Sequence, residues 1–230
     1  MPPPPDSLAA TAIQGTEADG PLLRRFNPAE RWVHRGFAVL MTVDMLTALA
    51  LYSSTLSNTI GQRGLVRAIH VYVGLALPLP LLLGTLSSAY RSDARRLNRF
   101  TADDWRWLNP RERRRAPVST GKFNAGQKLN TALTAGATAV LLGTGLVMYL
   151  RQATPLDWRI GATFVHGWTA FSLTALVLGH IVLATLDAGA RGGLRTGFVT
   201  RTWAARHHGE WLRECGGGVP AGIPGPDERP

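Results

Sequence analysis

Four apolar runs of membrane-spanning length, separated by polar and basic segments, dictate what this 230-residue chain can fold into. A hydrocarbon layer about 30 Å thick takes about 20 helical residues to cross. No water there satisfies an open backbone, so each run must close its own hydrogen bonds as a helix. The runs fall at residues 33–52, 65–87, 129–150 and 161–186. The expected fold is therefore all-α, an integral membrane four-helix bundle. Pro78 and Pro80 lie inside the second run and should kink it. The third contains Gly143-Thr144-Gly145. Residues 23–213 read as one four-span domain, flanked by a disordered N-terminal tail at 1–22 and a disordered Gly/Pro-rich C-terminal tail at 214–230.

Charge placement sets the orientation. The excess of 25 Lys and Arg over 15 Asp and Glu invites a nucleic-acid reading, but the charges flank the apolar runs. Arg24, Arg25, Arg31 and Arg35 precede the first run. Eleven Lys or Arg lie in the loop 91–128, and Arg191, Arg195, Arg201, Arg206 and Arg213 follow the fourth run. The opposite side carries only Arg63, Arg67, Arg151 and Arg159. The positive-inside rule then puts both termini and the long loop in the cytoplasm. No apolar signal core precedes residue 20, so the Arg24-Arg25 pair reads as the flank of a first membrane anchor rather than a twin-arginine leader. Nucleic acid is not an expected partner; membrane lipid is.

Four histidines lie inside or at the edges of these runs: His34, His70, His166 and His180. Ionisable side chains in spans are rare and mark function. His166 and His180 are 14 residues apart on one span. At ~100° and ~1.5 Å per residue, they share a face to within ~40° and differ in depth by ~21 Å. With both termini cytoplasmic, His34 and His180 lie toward the inside and His70 and His166 toward the outside. The depths pair the residues. Each pair offers two imidazoles to one iron, which suits two low-spin bis-histidine b haems and electron transfer rather than oxygen chemistry. The single cysteine, Cys215, excludes covalently attached haem and iron–sulfur ligation on this chain.

Other polar residues carry two readings each. Arg31 and Arg67 precede His34 and His70 by three residues, one turn nearer water. They are candidates for the haem propionates, or are interfacial arginines that snorkel. The histidines themselves could simply hydrogen-bond neighbouring helices. A zinc site would need further Cys, Asp or Glu ligands. Asp44 is the carboxylate deep in an apolar run, turned away from His34 and too far along the helix to share a metal with it. It reads as a proton-relay group or as a protonated acid bonded within the bundle. His207 and His208, among Arg206, Glu210 and Trp211, read as solvated or interface residues rather than haem ligands.

Over residues 24–214 the chain resembles the cytochrome b (gamma) subunit of membrane-bound formate dehydrogenases, within the di-haem cytochrome b561-like superfamily. The resemblance rests on Arg-Trp-Val-His at 31–34, Arg-Ala-Ile-His at 67–70, Lys-Phe-Asn-Ala-Gly-Gln-Lys at 122–128, Thr144-Gly145, and the step from His166 to His180. It rests also on Gly197-Phe-Val-Thr-Arg-Thr-Trp203 and on Trp203-Ala-Ala-Arg-His207-His208-Gly-Glu-Trp211. The resemblance implies a multi-pass subunit of the bacterial inner membrane. An iron–sulfur (beta) subunit would pass it electrons from a molybdenum or tungsten catalytic subunit, so the formate-oxidising site would not be on this chain. Electrons would pass from the outer haem to the inner haem and then to menaquinone or ubiquinone. It implies a quinone site at Asn124, Gly126 and Gln127, beside His180. Those residues otherwise read as a polar helix start, with Asn124 as N-cap. A hydrogenase b-type cytochrome and a stand-alone cytochrome b561-type quinone oxidoreductase fit the paired histidines too. The non-redox alternative is a membrane anchor or metal-handling bundle.

Overall fold

The computed structural model describes residues 22–115 and 118–216, so the expected tails at 1–22 and 214–230 lie outside it apart from Leu22 and residues 214–216. Helix dominates, and four helical segments are long and apolar enough to cross a membrane. The first is α1 (Pro28–Tyr52). The second is a broken pair, α3 (Arg63–Ala76) and α4 (Pro78–Gly84). The third and fourth are α8 (Ala125–Tyr149) and α9 (Leu156–Leu186). Shorter helices connect them: α2 (Ser54–Ile60), α5 (Ser88–Leu97), α6 (Ala102–Leu108) and α7 (Pro110–Arg115). After α9 come α10 (Ala188–Thr196), α11 (Arg201–His207) and α12 (Gly209–Glu214).

The helices begin earlier than hydropathy alone suggests. α1 starts at Pro28, whose fixed φ and missing N–H suit a first helical position. The polar residues Glu30 and Arg31 thus continue an apolar helix past the reach of a hydropathy window. α9 has 31 residues, about 46 Å of helix, and outruns a hydrocarbon layer of about 30 Å. The second span breaks at Leu77. Pro78 cannot donate to the helical ladder, and the Leu77 amide bonds Gly74 across one tight turn at 3.2 Å. That span ends at Gly84 rather than at 87. A Cβ on Gly84 would lie 2.7 Å from Val33 Cγ2, so glycine is what lets α4 approach α1 so closely.

The described chain divides into two compact units. One comprises residues 28–95 and 129–186, the four spans. Its core is a layer of Met41, Leu77 and Leu173, packed by Phe37, Leu40, Met45, Ala137, Leu141, Leu176 and Val177. All four spans contribute. The outward faces expose Leu46, Leu83, Phe164, Phe171 and Leu183, an apolar surface that water would not tolerate on this scale. Trp32 and Tyr52 stand exposed near the two ends of α1, with Tyr149 closing α8 and Trp158 opening α9, as in the aromatic belts of membrane interfaces.

The other unit gathers the described residues of 22–27, 96–128 and 187–216. Here the structure departs from a simple tail-and-loop expectation. Leu22 to Arg24 form β1, paired antiparallel with β2 (Phe198–Thr200). The core is Val199, Ala204, Trp211 and Leu212, with Leu23, Trp203 and Ala205 against it. Lys128, in the first turn of α8, donates to Asp104 Oδ2 at 2.6 Å and to the Arg99 carbonyl at 3.0 Å. Asp104 also caps α6, accepting from the Thr101 amide at 2.8 Å. The long loop therefore folds on its own ion pair and caps.

Candidate functional site

The four span histidines meet in two pairs. His34 on α1 faces His180 on α9, with ring centres 6.4 Å apart and planes at 51°. His70 on α3 faces His166 on α9, with centres 6.3 Å apart and planes at 74°. These spacings have a chemical meaning. Each spacing leaves room for one metal between the two rings, which an imidazole nitrogen on either side would hold. The donor sets are two imidazoles at each level. Among the described residues no three His, Cys, Asp or Glu gather as a metal site. Two imidazoles at each level would hold a haem iron, with its remaining ligands supplied by the porphyrin. The residues present fit haem.

The layers stack in order along α9. Leu173, 3 % exposed, stands seven residues from His166 and seven from His180. The Met41–Leu77–Leu173 layer therefore separates the two histidine levels by about two helical turns on each side.

His70 and His166 are held by threonines. Thr47 Oγ1 lies 3.1 Å from His70 Nδ1, and Thr144 Oγ1 lies 2.9 Å from His166 Nδ1. Each hydroxyl also donates back along its own helix, Thr47 to Val43 O at 2.8 Å and Thr144 to Val140 O at 2.7 Å. A hydroxyl has one proton. With that proton on the carbonyl, its oxygen accepts Nδ1–H from the ring, and Nε2 keeps its lone pair for a metal. Gly145 permits the approach, since a Cβ there would lie 3.4 Å from His166 Cε1. Sequence reasoning singled out Thr144 only as part of a motif and passed over Thr47. Each partner lies on a different helix, and helical period within one span cannot find it.

Asp44 is the other feature that sequence arithmetic missed. Its distance from His34 holds, but Oδ1 comes within 3.7 Å of His70 Nδ1 on the neighbouring helix, beyond hydrogen-bond reach. Gly74 makes room for it, since a Cβ there would lie 3.3 Å from Oδ2. Arg31 is half-buried on α1 and Arg67 is exposed on α3, each one turn before its histidine.

At the head of α8, Asn124 and Gln127 cap each other's backbone. Asn124 Oδ1 accepts from the Gln127 amide at 2.9 Å, and Gln127 Oε1 accepts from the Asn124 amide at 3.1 Å. The cap uses the acceptor half of each carboxamide and fixes Asn124 Nδ2 as a donor. Gly126 admits the Trp107 ring, whose Cη2 would lie 3.1 Å from a Cβ at that position.

Of the two readings of His208, solvated or interface, the structure excludes the first. His208 is 1 % exposed, while His207 stays at the surface. Its Nδ1 donates to Gly121 O at 2.7 Å, and Nε2 accepts from Arg25 Nη2 at 3.0 Å. Arg25 Nη2 donates also to Lys122 O at 3.0 Å. Burial, then the Arg25 charge, push the His208 pKa down to about 3, so the ring is neutral. The Trp-Ala-Ala-Arg-His-His segment and the Lys-Phe-Asn segment are therefore bound together by His208 itself and by Arg25, the residue that follows β1.

A four-span bundle with facing imidazoles at two levels defines a class: integral membrane cytochromes of the b type, which carry electrons. The model of the prokaryotic cytochrome b561 family matches residues 25–193. Similar proteins include the formate dehydrogenase cytochrome b556 subunit of Haemophilus influenzae, 28% identical over 208 residues, which cover 85% of this chain and 84% of that one. The nitrate-inducible formate dehydrogenase cytochrome b556(Fdn) subunit of Escherichia coli K12 is 26% identical over 198 residues, 80% of this chain and 88% of its own. The cytochrome b556(fdo) subunit of the same organism is 25% identical over 196 residues, 83% and 92% of the two chains. The chain belongs to the prokaryotic cytochrome b561 family. It is a multi-pass membrane cytochrome b with a role in electron transfer.

Proposed function

We propose that this chain is the di-haem membrane subunit of a formate dehydrogenase-type complex, carrying electrons from an iron–sulfur partner to quinone. The observation that carries this reading is the pair of imidazole spacings, 6.4 Å and 6.3 Å, at two levels of one bundle. Haem bound between His34 and His180, and between His70 and His166, supplies reversible one-electron transfer. The chain's own residues do the rest. Each histidine pair would hold one haem iron from both sides and so exclude oxygen and other small ligands from it. Arg31 and Arg67, one turn from His34 and His70, meet the propionates with bidentate-capable guanidinium groups. The basic flanks hold both termini and the 91–128 loop in the cytoplasm. Electrons then enter at the His70/His166 level on the outer side, from a partner that itself draws on a molybdenum or tungsten catalytic subunit.

Quinone is reduced on the cytoplasmic side. Asn124 Nδ2 donates to a quinone oxygen while the Asn124 and Gln127 carbonyls stay in the helix cap. The names of the relatives support formate as the source of electrons, and co-purification tests it. A tagged chain expressed from its native locus should bring down an iron–sulfur subunit and a molybdenum or tungsten protein that oxidises formate. Haem counting tests the centres. The purified chain should carry two b haems, His34→Ala or His180→Ala leaving one and His70→Ala or His166→Ala leaving the other. A single haem in the parent protein, or loss of the same haem in His34→Ala and His166→Ala, would overturn the assignment.

A further inference from the structure

The two histidine levels are not equivalent. At the outer level both rings have a hydroxyl acceptor on Nδ1, from Thr47 at 3.1 Å and Thr144 at 2.9 Å. At the inner level, among the described residues, His34 and His180 have each other as ring neighbours and no side-chain hydrogen bond. We propose that Thr47 and Thr144 are positioning residues that fix the outer histidines as Nδ1–H tautomers and hold the outer haem at a lower midpoint potential than the inner one. The inference rests on the haem reading above.

The physical chain is short. Each threonine hydroxyl donates to a helix carbonyl, at 2.8 Å for Thr47 and 2.7 Å for Thr144. That donation polarises the hydroxyl and strengthens its oxygen as an acceptor. The ring then shares its Nδ1 proton, so Nε2 becomes a more electron-rich ligand. A more basic axial ligand favours the ferric state, and second-shell hydrogen bonding is one of the levers that set haem potential. The Asp44 carboxyl does not take this role, because its oxygen stands 3.7 Å from the same His70 nitrogen, with Thr47 closer. Among the described residues no hydroxyl takes this place at the inner level. With an iron–sulfur centre as reductant and quinone as oxidant, electrons then run downhill from the outer level to the inner one. Two hydroxyls on α1 and α8 give the bundle its direction.

Redox titration of the intact purified protein, followed by haem absorbance, tests this. The outer component is assigned in the His34→Ala background, which lacks the inner haem. Thr47→Val and Thr144→Val keep the side-chain shape and remove the hydroxyl acceptor, leaving each ring only its backbone partner, Asp44 for His70 and Leu141 for His166. Each should shift the outer haem's electron affinity upward by up to about tenfold, about 59 mV for one electron. The inner component should stay where it is, and Thr47→Ser and Thr144→Ser should restore the parent value. The low-spin EPR signal of the outer haem should change in the valine variants only, as ring planes set at 74° are released. If the double valine variant loses the outer haem, the single variants carry the measurement. An unmoved outer potential, an equal shift at both levels, or valine and serine variants that behave alike would overturn the proposal while leaving two haems in place. Absence of two haems in the parent protein would instead sink the di-haem reading.

Discussion

Arg25 donates to Nε2 of His208 across 3.0 Å, joining residues 183 positions apart in sequence. The neutral imidazole is the form this contact requires, and its pKa of about 3 lies well below the ordinary value of 6.5. An unfolded chain therefore takes up a proton at this residue before the folded one does. The stabilisation is complete above about pH 6.5 and is lost as pH falls toward 3. Each pH unit in that window removes up to about 1.4 kcal/mol. Thermal unfolding in detergent, read by tryptophan fluorescence near Trp203 and Trp211, should show this slope. His208→Gln should flatten it, and an unchanged slope would mean that His208 is not the responsible group.

The Lys128–Asp104 pair makes a second test. Both side chains are nearly buried, at 10% and 7% exposure. Lys128→Met leaves a carboxylate without its cation, a kind of change that costs about 3–5 kcal/mol. Asp104→Asn leaves the lysine with the Arg99 carbonyl and an amide oxygen, and should cost less. Chemical or thermal unfolding of the two variants checks the order. Equal losses would mean that the pair contributes through packing alone.

Asn124 separates capping from quinone binding. Asn124→Asp keeps an acceptor for the Gln127 amide and removes the Nδ2 donor. Stability should hold or rise slightly, because a carboxylate suits a helix N-terminus. Affinity for a quinone-analogue inhibitor should fall by roughly ten- to a hundredfold, the worth of a lost hydrogen bond of ~1–3 kcal/mol. Unaltered inhibitor binding and unaltered oxidation of the reduced haems by quinone would make the segment a helix start only.

The midplane layer makes a fourth. Leu173→Ala opens a cavity between Met41 and Leu77 and should cost about 2–5 kcal/mol. Haem content should remain at the parent value, because none of the four histidines touches the change. Loss of one haem alone would show that the layer positions that level directly.

The spans and the ring pairing could be read from the chain because both follow from arithmetic within one helix. Fourteen residues return His180 to the face of His166, and hydropathy gives depth. What stayed hidden depends on contacts between helices or between distant segments. Thr47 meets His70 and Asp44 approaches the same ring only because α1 and α3 pack closely at Gly74. His208 looked solvated because its neighbours in sequence are charged. Its burial comes from Arg25 and Gly121, which no local pattern links to it. The helices outrun the apolar runs for a related reason: Pro28 and the Asn124 cap, the latter already legible as an N-cap, act through backbone geometry that hydropathy ignores.

The layer of Met41, Leu77 and Leu173 has an electrical consequence. It contains no ionisable group and no hydroxyl or amide, and it lies between two levels about 21 Å apart along α9. Electrons tunnel through such a dielectric, whereas ions need a chain of water or polar groups. On the two-haem reading proposed above, the bundle would carry electrons past an insulating midsection, and the charge crossing it would be electronic. Each electron driven across the whole layer against 100 mV stores about 2.3 kcal/mol. A polar residue introduced at Leu173 would lower the barrier to ions at one point, without by itself completing a path for them.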